Sequence, residues 1–180
     1  MTKYTTLLTS ILCFLFTLTG CSQSATEPGR ESFAVTPSVA EDKRIASVDV
    51  VKAVAQPVEI AVGSSGEAIL RLTIQTGYHV NANPPTYSYL KAIELEIAPA
   101  AGVSVGPISY PPPRNAKLSF AEKPIAVYEG ETEIRATLKA DKSAKPGERS
   151  LSAKLRIQAC DDQVCYPPGT LDLAIPVRIK

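Results

Sequence analysis

Residues Val58 to Ile74 read VEIAVGSSGEAILRLTI. Apolar and polar residues alternate through Val58-Glu59-Ile60-Ala61-Val62 and again, after its first residues, through Ala68 to Ile74. A period of two puts one face of each segment in a core and the other in water, which is the mark of a strand. Gly63-Ser64-Ser65-Gly66 between them is turn material, since glycine supplies conformations other residues resist and serine bonds its own backbone. Working outward, the same grammar repeats. Val48-Asp49-Val50 alternates before this stretch, and Gly77-Tyr78-His79-Val80-Asn81-Ala82-Asn83-Pro84-Pro85 after it reads as a short strand ended by two prolines. Ile93 to Ile97, IELEI, is a half-buried strand, and Val103 to Tyr110 is a weaker one closed by Pro111-Pro112-Pro113. Lys117 to Tyr128 holds a long loop or irregular hairpin. Thr132 to Ala140, Arg149 to Gln158 and Thr170 to Ile179 complete the set, with Lys145-Pro146-Gly147 as a turn. Roughly eight or nine strands, no helical period and frequent turns predict an all-β chain folded as an antiparallel β-sandwich.

The 180 residues suffice for one domain with its own core. A net charge of +1 offers no basic field, so nucleic acid is not an expected partner. Lys3 followed by the mostly apolar Leu7 to Leu18 reads as a secretory signal, too short for a membrane span of ~20 residues. Leu18-Thr19-Gly20-Cys21 resembles the bacterial lipobox, which implies diacylation of Cys21 and an anchored mature N-terminus; an ordinary cleaved signal is the alternative. The expected organisation is a lipoprotein signal peptide over 1–20, a lipidated N-terminus and flexible tether over 21–45, and a β-sandwich over 46–180. By the resemblance to Gram-negative lipoproteins, Ser22 after the cysteine favours the outer membrane slightly, facing the periplasm.

Removing Cys13 with the signal and blocking Cys21 with lipid leaves Cys160 and Cys165, in a compartment where disulfides persist. They stand in IQACDDQVCYPP, Ile157 to Pro168, with four residues between them. Along one extended strand they would lie roughly 16 Å apart, at about 3.3 Å per residue. If they pair, the chain reverses through Asp161-Asp162-Gln163-Val164, a plausible hairpin loop, and the two cysteines face each other across its mouth. Metal binding is the weaker alternative. Two thiols, His79 and scattered carboxylates fall short of the usual zinc set, and the single methionine is Met1. No metal and no cofactor is expected. A hairpin staple is the other alternative, although so short a loop gains only about 2 kcal/mol.

GYHVNANPP, then ISYPPP, LSFAEKPIAVYEG and IQACDDQVCYPP, in that order, resemble the N-terminal periplasmic domain of the thiol:disulfide interchange protein DsbD. The resemblance covers about Val48 to Lys180 and is strongest at the cysteine pair with its Tyr-Pro-Pro. It implies an immunoglobulin-like sandwich whose Cys160/Cys165 pair exchanges electrons with a periplasmic thioredoxin-like or membrane redox protein. It also implies a cap loop at Leu118-Ser119-Phe120-Ala121-Glu122-Lys123, with Phe120 as the shielding aromatic and Tyr78 and Val80 near the pair. Tyr166 reads as a packed aromatic beside the sulfurs rather than a proton donor. By family analogy Cys165 attacks the partner and Cys160 resolves. The best-known member of that family has one residue more between its cysteines, so the hairpin is expected to present its sulfurs at another angle. With no membrane-embedded or thioredoxin-like segment in the sequence, the expectation is a stand-alone, monomeric, lipid-anchored version of one module. Asp161 and Asp162 place negative charge beside the thiols, which disfavours thiolate and predicts a pair that donates electrons. The competing class is a lipid-anchored immunoglobulin-like binding module whose disulfide is only structural.

Overall fold

The computed structural model of the chain describes residues 45–100 and 102–180. The expected signal peptide, the expected lipid-bearing Cys21 and the expected tether as far as residue 44 lie outside the described residues. A 3-10 turn, Ser47–Val50, leads into twelve strands among the described residues. They are β1 (Val51–Ala55), β2 (Val58–Ile60), β3 (Ser65–Ile74), β4 (His79–Asn81), β5 (Glu94–Ile97) and β6 (Val103–Ser109). The second half holds β7 (Arg114–Ala116), β8 (Ile125–Tyr128), β9 (Glu131–Ala140), β10 (Gly147–Ile157), β11 (Ala159–Cys160) and β12 (Gly169–Ile179).

The strands make three four-stranded sheets, in the orders β1-β3-β9-β6, β2-β12-β10-β5 and β11-β4-β8-β7. The first two form the sandwich, and alternation decides what each strand gives to it. Leu70, Leu72 and Ile74 of β3 and Ile134, Ala136 and Leu138 of β9 point inward from one sheet. Leu151, Leu155 and Ile157 of β10 and Ile175, Val177 and Ile179 of β12 answer from the other. Each fully buried branched side chain stabilises the fold by about 1.5–3 kcal/mol relative to exposure. Exposed positions carry cross-strand ion pairs such as Arg71–Glu133 at 3.0 Å, worth little in water.

The stretch from Val58 to Ile74 is two strands, as its pattern predicts, but not a hairpin. β2 runs parallel to β12 in the second sheet, the one parallel pairing among the described strands. β3 lies antiparallel between β1 and β9 in the first. The turn therefore carries the chain from one sheet to the other. Gly66 sits where they close together: a Cβ there would lie 2.8 Å from Ile60 Cγ1.

Twelve strands exceed the eight or nine expected because several are very short. The excess falls largely in the third sheet. There β7 and β8 form the irregular hairpin expected near Lys117 to Tyr128, with residues 117–124 as its loop.

Candidate functional site

Cys160 ends β11 and pairs in an isolated antiparallel bridge with Cys165. The bridge is framed by Asp161 N–H donating to Val164 O (2.9 Å) and Tyr166 N–H donating to Ala159 O (2.8 Å). The cysteines thus occupy a non-hydrogen-bonded pair, the site in an antiparallel ladder where facing residues come closest. Their sulfurs are joined, S–S 2.00 Å, with Cα atoms 3.9 Å apart. That separation is shorter than the ~4.4–6.8 Å usual for disulfides, because the two residues stand directly opposite each other at the mouth of a four-residue loop. The chain reversal expected at Asp161-Asp162-Gln163-Val164 is present.

Asp161 makes the loop. Its Oδ1 accepts from the backbone N–H of Gln163 (2.7 Å) and of Val164 (2.8 Å), the side-chain-to-backbone turn that favours Asp here. Its Oδ2 accepts from the Tyr166 hydroxyl at 2.6 Å. The Tyr166 bond, with the two backbone donors, holds the Asp161 carboxyl below its ordinary range. The same bond pushes the Tyr166 phenol up to about 12. Tyr166 thus clasps the hairpin loop through its hydroxyl. Its ring lies 6.1 Å from that of Tyr78, tilted by 45°. Ser47, buried in the 3-10 turn, ties both legs of the hairpin: it accepts from Ala159 N–H (2.9 Å) and donates to Pro167 O (2.7 Å).

The third sheet has two different faces. Val80 pairs with Ala159 and with Tyr128, and all three side chains belong to the sandwich core. His79 pairs with Cys160, and Asn81 with Val127, so alternation puts these four on the opposite face. There Cys160 joins a second buried cluster with Leu90, Leu118, Ile125 and Val127, edged by Tyr87, Ala121 and Cys165. Val80, expected near the pair, is next to it in the sheet but directs its side chain into the sandwich. Tyr78 and Tyr166 are brought together beside the hairpin.

The two sulfurs differ in access. Cys160 is fully buried, whereas Cys165 is partly exposed at the rim. Over the pair runs the loop of residues 117–124, latched to the hairpin because Ser119 donates from both its N–H and its hydroxyl to Asp162 O. Leu118 is the loop residue buried in the cluster with Cys160, while Phe120 is 39% exposed. Phe120 is one of three exposed large apolar residues carried by the segments around the hairpin, with Val164 (50%) and Tyr89 (66%), whose ring stacks on Tyr87 at 5.2 Å.

Ser47, Asn81 and Gln158 were not singled out by sequence reasoning. Asn81 is fully buried, its Oδ1 lying 3.8 Å from Cys160 Sγ and its Nδ2 donating to Gln158 Oε1 at 3.0 Å. The signal that could have found it is its place in His79-Val80-Asn81, where alternation aligns it with His79 on the non-core face. Nothing around Ser47 or Gln158 marks them. Among the described residues no group of three or more His, Cys, Asp or Glu converges to hold a metal ion.

Residues 50–175 match the family model of the thiol:disulfide interchange protein DsbD, N-terminal. No curated protein matches the chain. Among solved structures, the N-terminal periplasmic domain of ScsB from Proteus mirabilis is similar at TM-score 0.53 and 17% identity, over 71% of this chain and 46% of that one. The chain thus spans less than half the length of that protein. The N-terminal domain of Neisseria meningitidis DsbD in its reduced form aligns at 20% identity and TM-score 0.43, over 62% of this chain and 77% of that one. With the family match spanning most of the described residues, and a joined cysteine pair at the mouth of its hairpin, this chain belongs to the DsbD N-terminal domain family.

Proposed function

We propose that this chain is a periplasmic thiol-disulfide interchange module that passes electrons through Cys160 and Cys165 to or from a thioredoxin-like partner. The observation that carries this reading is the unequal burial of the pair, with Cys165 at the rim and Cys160 beneath it. In exchange the reduced module's Cys165 thiolate attacks one sulfur of the partner's disulfide. A mixed disulfide forms and the partner's other sulfur leaves as a thiolate that takes up a proton. Cys160 then loses its proton and attacks Cys165 Sγ. The intermolecular bond breaks, the internal disulfide re-forms, and the partner leaves as a dithiol carrying two electrons. All sulfurs, protons and electrons balance, and the reverse sequence reduces the module.

Phe120 and Leu118, on the latched loop, act as its cover, and Tyr89, Phe120 and Val164 give a partner apolar surface beside the exposed sulfur. Donation is the favoured direction, since ionised Asp161 adjoins Cys160 in the chain and disfavours thiolate there. A potential close to that of a strong oxidant, about −120 mV, would contradict that direction. Cys21 carries the lipid and residues 22–45 the tether, placing a single copy of the module at the periplasmic face of an envelope membrane. Labelled palmitate should enter the protein and be lost with Cys21→Ala.

Trapping tests the exchange. Cys160→Ala should accumulate a mixed disulfide with a thioredoxin-like protein, and Cys165→Ala should give little. Equal trapping by both variants would overturn the assigned order, and none by either would overturn the interchange itself.

A further inference from the structure

The orientation of one half-buried amide is dictated by the backbone. Lys91 N–H can only donate, and it meets a Gln158 side-chain atom at 2.8 Å; Tyr166 C=O can only accept, and it meets the other at 3.2 Å. Gln158 therefore has a single satisfactory orientation, with Oε1 toward Lys91 and Nε2 toward Tyr166. The same Oε1 faces the Asn81 side chain at 3.0 Å, so Asn81 must present its NH2 there. Its carbonyl Oδ1 is left facing Cys160 Sγ, 3.8 Å away. Asn81 cannot drift, because its backbone N–H donates to Gln158 O and its backbone O accepts from Ile93 N–H, each at 3.1 Å.

A disulfide sulfur has no proton, so in the oxidised protein this approach is only a contact. Reduction creates an S–H on Cys160, and the waiting acceptor turns the contact into a hydrogen bond to the neutral thiol. A bond to the neutral form disfavours ionisation, and burial acts in the same direction. Cys165 Sγ meets no such acceptor among the described residues. Other titratable groups come from the surrounding elements. His79 shares the face of Cys160, with Nε2 3.5 Å from Glu129 and no hydrogen-bond partner for its buried Nδ1. Asp161 is occupied by Tyr166 and two backbone N–H groups, Asp162 is exposed on the hairpin, and Tyr87 edges the cluster.

We infer that Asn81 is a positioning residue that keeps the proton on the reduced Cys160 thiol, so that Cys165 is the sulfur that ionises and meets the partner. This rests on the interchange reading and assigns the order of the two sulfurs to an amide held through Gln158.

The test is a pH titration of the reduced full chain with 13Cβ-labelled cysteine, which reads each thiol separately. In the unsubstituted protein Cys160 should titrate above Cys165. Asn81→Leu removes the acceptor at similar volume and should lower the Cys160 midpoint by about 0.5–1 pH unit, with Cys165 nearly unmoved. Asn81→Asp puts a carboxylate at the same place and should raise it. A merely structural role would not move the midpoint in opposite directions. Cys160 titrating below Cys165, or a midpoint indifferent to both substitutions, overturns the inference. Should Asn81→Leu not fold, the order in the unsubstituted protein and the Asn81→Asp shift decide. Partner trapping is read separately: its failure with the predicted titration order removes the interchange reading alone, and its success with the reverse order removes the role of Asn81 alone.

Discussion

The sandwich and the cysteine-bearing sheet are joined through β10, Gln158 and β11, yet they balance apolar burial and directed hydrogen bonds differently. The sandwich rests on strands of ten or eleven residues that interleave Leu, Ile and Val with no polar partner needed. The third sheet has strands of two to four residues. Beside a small apolar cluster of its own and the side chains it lends to the sandwich core, it adds directed bonds: Ser47 to both legs of the hairpin, Asp161 to its loop, Ser119 to Asp162, Asn81 to Gln158. Apolar burial is non-directional and tolerant, whereas hydrogen bonds fix angles and are costly to leave unmade. The comparison teaches that the bulk of stability and the fine geometry of the site come largely from different contacts. On the proposed function, the sheet that would open and close a covalent bond is the one with the shortest strands, while most of the apolar burial lies in the other two.

That division can be broken deliberately. Leu155→Ala, fully buried in β10, should cost about 2–5 kcal/mol in urea unfolding while leaving the disulfide's reactivity in the folded protein nearly unchanged. Reduction of Cys160–Cys165 should cost less, about 2 kcal/mol, because the closed loop is short. A loss of 5 kcal/mol on reduction would make the bond a staple and erase the distinction. Ser119→Ala removes one of the two bonds to Asp162. It should raise the alkylation rate of reduced Cys165 roughly fivefold, the equivalent of ~1 kcal/mol, with little change in the urea midpoint.

The smallest effect is electrostatic. Asp161 has a depressed carboxyl pKa in the folded chain, so its contribution is fully present above the ordinary 3.8 and fades as pH falls through the lower folded value. Tyr166 has a raised one, so its contribution is complete below the ordinary 10.0 and fades as pH climbs toward about 12. The hairpin clasp should therefore hold across neutral pH and loosen at both extremes. Asp161→Asn should bring the Tyr166 phenol down toward 10, read by tyrosinate absorbance. An unmoved phenol would detach Tyr166 from this role.

The same division explains what could be read from the sequence. Alternation in Ala68 to Ile74 or Thr132 to Ala140 is a repeated signal, and the strands there follow it. Partners are not encoded so locally. Nothing in VEIAVGSSGEAILRLTI says that its two strands belong to different sheets, since that follows from Val58 and Ile60 completing the edge of β12. At the site, Cys160, Cys165 and the loop between them were legible because a disulfide and an Asp turn are short-range facts. Leu118 was overshadowed by the larger Phe120, as side-chain size gave no hint of which loop residue is tucked beneath. Asn81 and Gln158 lie 77 positions apart, and a polar pair that remote declares itself only once the strands are paired.

The most direct measurement is the reduction of Cys160–Cys165 by millimolar dithiothreitol in the folded chain, followed by trapping of free thiols and a far-ultraviolet spectrum on the same sample. The account predicts complete reduction with the β spectrum intact and Cys165 modified before Cys160. A disulfide that survives until denaturant unfolds the domain would contradict it.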